Sequence, residues 1–359
     1  MANEGITIPS RVGQINSAGA VDALFLKKFA GEILTTFEEN NVFKSLHTIR
    51  TIENGKSAQF PVTGIATANY YTPGQNIAEE GGASSSTYLS DIKKNEKVIT
   101  IDDVLLSSTF LASIDDVKNH YDIRSVYASE LGKALAKRFD EAVAKVFIAA
   151  AREATANVTG GKVGGILDVS QNAMGDPADS ADDSSNVDPT GAQLVAALFT
   201  AAQKLDENDV PSDGRFCVLR PQEYYKLITG GSGSLVISTS ASNKDVGGSG
   251  SLASGSIAQV AGISIFKSTH LPSTDLSSTS TGDGAASNDV FGSNGVGYNG
   301  NFTNSLGIVA HPSAVGTVKL LDLATESEYQ MERQGTLFIA KYAMGHGILR
   351  PECAIELQK

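Results

Sequence analysis

Apolar residues recur at every fourth position through Val21, Phe25, Phe29, Ile33 and Phe37, which is helical spacing, and Asn40-Asn41 supplies a stop. The stretch before them holds too few apolar groups for a core, so the segment to about residue 46 reads as an arm that must lie on something else. From His47 the pattern turns to Thr, Val, Ile and Tyr runs. An extended stretch through Gln59-Phe60-Pro61-Val62 and a return through Lys97-Val98-Ile99-Thr100-Ile101 flank a Gly/Ser-rich tip at Glu79–Ser86, which predicts a long hairpin. Arms of about 15 residues at roughly 3.3 Å each would reach on the order of 50 Å. A lone two-stranded ribbon is marginal in water, so this one rests on its own body or on a neighbouring subunit.

The strongest periodic signal comes next. Ser113 and Asp116 look like a helix start, and Ile123, Tyr127, Leu131, Leu135, Phe139, Val143 and Phe147 follow at intervals of four. Against a helical 3.6, that spacing turns the apolar stripe by about 40° per step, so a long central helix meets different partners at its two ends. Gly160-Gly161 and Gly164-Gly165 are expected to end it, and the Asp/Ser-rich stretch from Asp176 to Asp188 reads as a solvated connection. Asp188-Pro189 is then expected to cap a helix with Leu194, Leu198, Ala201 and Leu205 on one face. Phe216–Leu219 follows as a buried strand, Arg220–Leu227 as a short helix, and Gly262–Phe266 and Leu306–Ala310 as further strands. Two low-complexity loops, Thr229–Ser256 and Ser273–Ser305, interrupt this α/β unit. The tail from Ala314 alternates strand-like and turn-like segments and has to pair with earlier strands.

Charge narrows the function classes. With 28 Lys and Arg against 40 Asp and Glu, the chain carries a net −12, and no basic cluster interrupts it. Gripping nucleic acid is therefore disfavoured. Cys217 and Cys353 have no second cysteine at metal-ligand spacing and read as small buried hydrophobes. No signal peptide and no run of 18 apolar residues is seen, so a cytosolic chain is expected.

Catalytic constellations are sought without success. Gly295–Gly300 has the spacing of a dinucleotide loop but lacks a preceding strand and a following helix, and Gly55-Lys56-Ser57 lacks the first glycine of a phosphate loop. No serine sits in a nucleophile elbow, and His120, His311 and His346 are scattered and read as structural. Glu79-Glu80 on a Gly/Ser tip would not be held to catalytic tolerance, and an inter-subunit ion-pairing role fits better. No catalytic, metal or cofactor site is expected, and no cofactor.

The tail segments Ala314–Leu320 and Lys341-Tyr342-Ala343-Met344-Gly345-His346-Gly347-Ile348-Leu349-Arg350-Pro351-Glu352 resemble the C-terminal signature of major capsid proteins of T7-like podoviruses. The segment order is similar over nearly the full chain, with weaker likeness at Arg220–Tyr225 and Val260–Ile263. That resemblance implies an α+β chain of HK97-type fold: an N-terminal arm (1–46), an extended loop (47–106), a peripheral domain with the spine helix (107–187 and 312–359) and an axial domain (188–311). It further implies self-assembly into hexamers and pentamers of an icosahedral head, with scaffolding and portal proteins as partners. A decoration protein is left open, and no membrane is implied. The virion capsid would be assembled in the host cytoplasm and enclose double-stranded DNA without binding it specifically.

Candidate inter-subunit contacts are Phe25 and Phe29 on the arm, and Tyr70, Tyr71, Glu79, Glu80, Lys93, Lys94 and Lys97 on the ribbon, where the lysines would pair with Glu79-Glu80 or with a neighbour's acids. Some relatives cross-link a loop lysine to a peripheral asparagine; residues 311–359 contain no asparagine, so non-covalent assembly is expected. An encapsulin-type shell housing cargo shares the architecture and is the alternative. An α/β enzyme built on 188–310 would need a converging polar pocket, for which the sequence supplies no candidate set.

Overall fold

In the computed structural model of the chain the described residues are 42–64, 66, 68–71, 73–74, 92–101, 104–112, 114, 123–157, 161–170, 173–175, 188–229, 259–276, 298 and 300–359. The expected arm helix, the ribbon tip, the Ser113 helix start, His120 and most of both low-complexity loops lie outside them. Two units divide the chain: one takes Leu105–Ala136 and Leu323–Tyr342 with Met1–Asn40, the other takes Asn41–Val104, Lys137–Asp322 and Ala343–Lys359.

In the larger unit a seven-stranded sheet forms the core. It runs β6 (Ala173–Gly175), β5 (Gly165–Asp168), β13 (Ala354–Gln358), β10 (Ser305–Ala310), β7 (Phe216–Leu219), β9 (Ile263–Lys267) and β8 (Gln259–Val260). β7 lies parallel to β9 and β13 parallel to β5, while β10 is antiparallel to both β7 and β13. Four consecutive buried residues in β7 and six in β10 mark central strands covered on both faces. The expected strands are thus present to within a residue, and the closing strand pairs back onto earlier ones. Three strands of this sheet, β5, β6 and β13, come from outside 188–311.

Helix α1 (Ile123–Ala151) is the expected spine. From Ala142 to Ile148 every residue is buried, so its C-terminal part is enclosed all round, as a turning apolar stripe requires. Phe147 meets Phe216 of β7 edge-on at 5.5 Å and Phe43 at 6.2 Å. The helix stops at Ala151, well before the glycines expected to end it. There Arg152 leaves the helix and forks onto Glu356 of β13 at 2.6 and 2.7 Å, bonds the Asn301 carbonyl at 2.7 Å and stacks on Phe302. Gly164 serves close packing instead: a Cβ there would press on the Pro351 carbonyl at 2.6 Å.

Helix α2 (Gly191–Glu207) buries Leu194, Leu198, Ala201 and Leu205 fully. Its cap is Thr190, in a reciprocal capping box with Gln193, rather than Asp188-Pro189; Asp188 pairs with Lys359 instead. Helix α3 (Pro221–Thr229) is the expected short helix. Both cysteines are free and buried.

The ribbon is present as β2 (Ser57–Thr63) and β3 (Lys94–Thr100), antiparallel from Ser57 opposite Thr100 to Thr63 opposite Lys94. The ladder extends by Gly64 N–H to the Lys93 carbonyl and Ile101 N–H to the Lys56 carbonyl. β1 (Thr48–Thr51) runs parallel to the start of β11 (Val315–Gln330). In the smaller unit, β4 (Leu105–Ala112) pairs antiparallel with the first half of β12 (Gly335–Ile348), and β11 turns into β12 through Gln334 at φ 50°. No described helix is long and apolar enough to cross a membrane.

Glu356 is fully buried between Ile166 and Ile308 on the neighbouring strands. Arg152→Met strands that carboxylate and is expected to cost about 3 kcal/mol. Adding Glu356→Ile should recover most of the loss, as urea unfolding of the unassembled subunit would measure.

Candidate functional site

An extended element that projects from a body functions only if its root is fixed, and the ribbon root is where the tail signature lies. Strand alternation places Gly345 and Gly347 of β12 on one face and His346 on the other. The two glycines face the ribbon. A Cβ on Gly345 would collide with the Thr100 carbonyl and lie 2.9 Å from Ile101 Cα, and one on Gly347 would lie 2.8 Å from Ile99 Cγ1. Gly316 of β11 completes the contact, since a Cβ there would reach Leu349 Cδ1 at 2.7 Å and Ile99 Cδ1 at 3.3 Å. Ala58, Ile99 and Ile101 from the ribbon side form one cluster with Val318, Ala343 and Leu349. Asn95 reaches further out, its amide donating to the Asn157 carbonyl at 2.7 Å, while the Asn157 amide donates to the Leu349 carbonyl.

His346 points the other way. Its ring is buried edge-on against Phe139 at 5.2 Å, its Nδ1 lies 2.8 Å from Thr317 Oγ1, and its backbone N–H and C=O both bond the Tyr298 hydroxyl at 3.0 Å. Burial, reinforced by His47, pulls its imidazole down to about 3. His47 is lowered by burial as well, partly opposed by the Phe43 carbonyl that its Nδ1 meets at 2.6 Å. A second buried pair lies nearby in sequence on α1: Asp140 Oδ2 accepts from Val42 N–H at 3.2 Å and lies 3.0 Å from His270 Nδ1. Burial raises the Asp140 carboxyl above the usual range, with His270 opposing. Val42 is thereby pinned to helix α1.

The other signature residues are structural too. Lys341 pairs with Glu326 at 2.8 Å within the smaller unit, and Tyr342 is buried. Arg350 pairs with Glu352 at 2.7 Å and Pro351 opens a single 3-10 turn. The ribbon candidates divide. Tyr70 is fully exposed and Tyr71 half-exposed, Lys93 and Lys94 are exposed, and Lys97 is half-buried. Phe25, Phe29, Glu79 and Glu80 lie outside the described residues, so the expected pairing with Glu79-Glu80 does too. Asp140, Lys145, Arg152, His270 and Glu356 went unnoticed in the sequence, where nothing but a polar residue inside an apolar run marks them. Among the described residues no His, Cys, Asp and Glu group could hold a metal ion.

The chain matches the model of the Gp10A-like family, described as major capsid protein, over residues 59–358. It is 36% identical over 345 residues to the major capsid protein of Escherichia phage T7, covering 94% of this chain and 92% of that one. Among solved structures it is similar to the capsid of cyanophage P-SCSP1u, with TM-score 0.71 and 39% identity over 99% of each chain. The mature capsid of bacteriophage PhiM1 shares the fold at TM-score 0.67 and 18% identity, over 93% of this chain and 91% of that one.

Two outcomes follow from the seat. Gly345→Ala is expected to cost about 2–3 kcal/mol and to expose the ribbon to protease, because backbone rather than a flexible side chain blocks the new methyl. Gly132→Ala, in helix α1 with nothing within 4 Å, is the control and should be neutral or stabilising. His346 titrates near 6.5 when unfolded and about 3 when folded, so its contribution is complete above about pH 6.5 and is lost as the pH falls toward 3. His346→Gln should flatten that decline, read from urea midpoints measured across the range; an unchanged slope would contradict the assignment.

Proposed function

The chain belongs to the Gp10A-like family of phage major capsid proteins and is a head-shell subunit of HK97-type fold, and on that footing we propose that it assembles into the hexamers and pentamers of an icosahedral head around packaged double-stranded DNA. The observation that carries this reading is the ribbon: a paired two-stranded projection locked at its root by backbone contact and exposed along its outer part. Nothing in a free subunit calls for such a projection. In a shell, the arm (1–46) and the extended loop (47–106) are the elements that reach over neighbours, and many extended contacts hold the lattice without one strong site.

The mechanism is structural. The ribbon supplies reach, the Gly-His-Gly face of β12 fixes its angle, and Val42 at Asp140 fixes where the arm departs. A net charge of −12 keeps the wall from adhering to DNA, since phosphate affinity comes from Lys and Arg. A scaffolding protein would guide curvature and a portal would admit DNA, with assembly in the host cytoplasm. The relatives are phage head proteins, which favours this reading over a cargo-housing shell.

Sedimentation velocity and negative-stain imaging of the chain co-expressed with a scaffolding protein are expected to give closed megadalton shells. A small oligomer both with and without the scaffold would overturn the proposal, and DNA in particles from infected cells would separate a head from a cargo shell.

A further inference from the structure

The joint between β1 and the ribbon is a short turn, fixed at both ends and exposed in the middle. Ile52 N–H donates to the Lys319 carbonyl of β11 at 2.9 Å, and four residues on, the Lys56 carbonyl accepts from Ile101 N–H at 2.8 Å. Arg50 reaches across the turn to the Gln59 carbonyl at 2.9 Å and stacks on Phe60. Glu53, Asn54 and Gly55 lie exposed between these anchors. Gly55 stands at φ 117°, where a side chain would be strained, so the turn demands glycine immediately after Asn54. We propose that Asn54-Gly55 is a site of spontaneous succinimide formation, and that its isoaspartyl product loosens the seat of the ribbon. The proposal concerns the subunit itself and holds whether or not the chain forms a shell.

The chemistry needs no catalyst. Asparagine is among the thermolabile residues because a backbone nitrogen can attack its side-chain carbonyl carbon. Here the attacker is the Gly55 amide nitrogen: it gives up its proton and bonds Asn54 Cγ in a five-membered ring, while the side-chain nitrogen leaves as ammonia. Water, the one co-reactant, then opens the ring. Hydrolysis of the bond from Gly55 N to Cγ leaves aspartate. Hydrolysis of the bond from Gly55 N to the Asn54 backbone carbonyl carbon leaves isoaspartate, whose main chain runs through Cβ and Cγ. One water enters, one ammonia leaves, a carboxyl group is gained and nothing is oxidised or reduced. A side chain after the asparagine would crowd the ring; at Gly55 there is none, and the nearest atom to the position of a Cβ is the Ser57 carbonyl oxygen at 3.9 Å.

Location gives the reaction its consequence. Asn-Gly also occurs at Asn294 and Asn299. Asn294 lies outside the described residues, and after Asn299 the glycine is held: the Gly300 carbonyl accepts from Leu276 N–H at 2.9 Å, and the Phe302 ring packs against Gly300. At Asn54 aspartate adds a charge alone. Isoaspartate also adds one main-chain bond, about 1.5 Å, between Ile52 and Lys56. Arg50 bridges the two sides of the turn, so the added length works against that bridge and against the anchor at Lys56. That anchor belongs to the strand pair seated on Gly345 and Gly347.

Ageing the purified full-length chain at neutral pH and physiological temperature tests both halves. The tryptic peptide 51–56 contains one asparagine and reports the site by mass. It is expected to gain about 1 Da and to split into aspartyl and isoaspartyl forms, the second labelled by an isoaspartyl methyltransferase, at a rate comparable to that of a synthetic peptide of residues 48–60. A peptide 51–56 that stays intact in the folded chain while the synthetic peptide converts would overturn the proposal. Once most of the site has converted, the aged chain is expected to unfold at a lower urea midpoint, and to be cut several-fold faster in the ribbon by protease, than fresh Asn54→Asp, which has the charge without the added bond. Aged Asn54→Gln keeps an amide that closes to an imide far more slowly, and it should match fresh protein. Equal midpoints and cleavage for the aged chain and fresh Asn54→Asp would overturn the loosening of the seat, as would a decline in aged Asn54→Gln as large as in the parent chain.

Discussion

The backbone of β12 at Gly345 meets the backbone of the ribbon root at Thr100–Ile101 with no side chain between them, and Gly347 leaves the room that the Ile99 side chain fills. A two-stranded ribbon has no core and derives its fixed direction from whatever it touches. Side-chain contacts would allow rotamer adjustment; a carbonyl against a glycine Cα allows none without moving a strand. Period-two alternation then makes one tripeptide serve both sides: glycines toward the ribbon, His346 into the body, where Tyr298 closes on its backbone from the opposite direction.

Buried charges fix the remaining joints. Arg152–Glu356 ties the end of the spine helix to the central sheet across 204 positions of sequence, and Asp140 binds both Val42 and, across 130 positions, His270. Pairs of this kind add little net stability against apolar residues of the same size, but an unpaired member is costly, which penalises any other arrangement of the same segments. They act on position, as the glycines do.

How much of this could be read from the sequence follows from the range of the interactions. Local periodicity revealed helix α1 and the buried face of helix α2, and located strands β7, β9 and β10 to within a residue, because apolar spacing alone decides them. The stop of α1 was misplaced because the residue that follows it, Arg152, turns to a partner 204 positions away that local sequence does not reveal. The cap of α2 was misplaced by two residues although its signal is local, since Thr190 and Gln193 carry the spacing of a capping box. Gly164 looks in sequence like the end of a helix, yet it is an inter-strand contact that requires the tertiary structure to be seen. The tail residues that carry the family likeness were legible as a pattern, while their physical role, seating the ribbon, was not.

A locked root matters because a projection amplifies angular slack. Over the seven paired residues of each arm, about 23 Å, 5° of play at the root moves the far end by on the order of 2 Å. That is several times the roughly 0.5 Å within which functional contacts need placement. Repeated around a ring, the same error would accumulate from subunit to subunit and prevent closure. In the proposed shell, glycines at positions 316, 345 and 347 would therefore act at a distance, setting where a contact made by the ribbon can form.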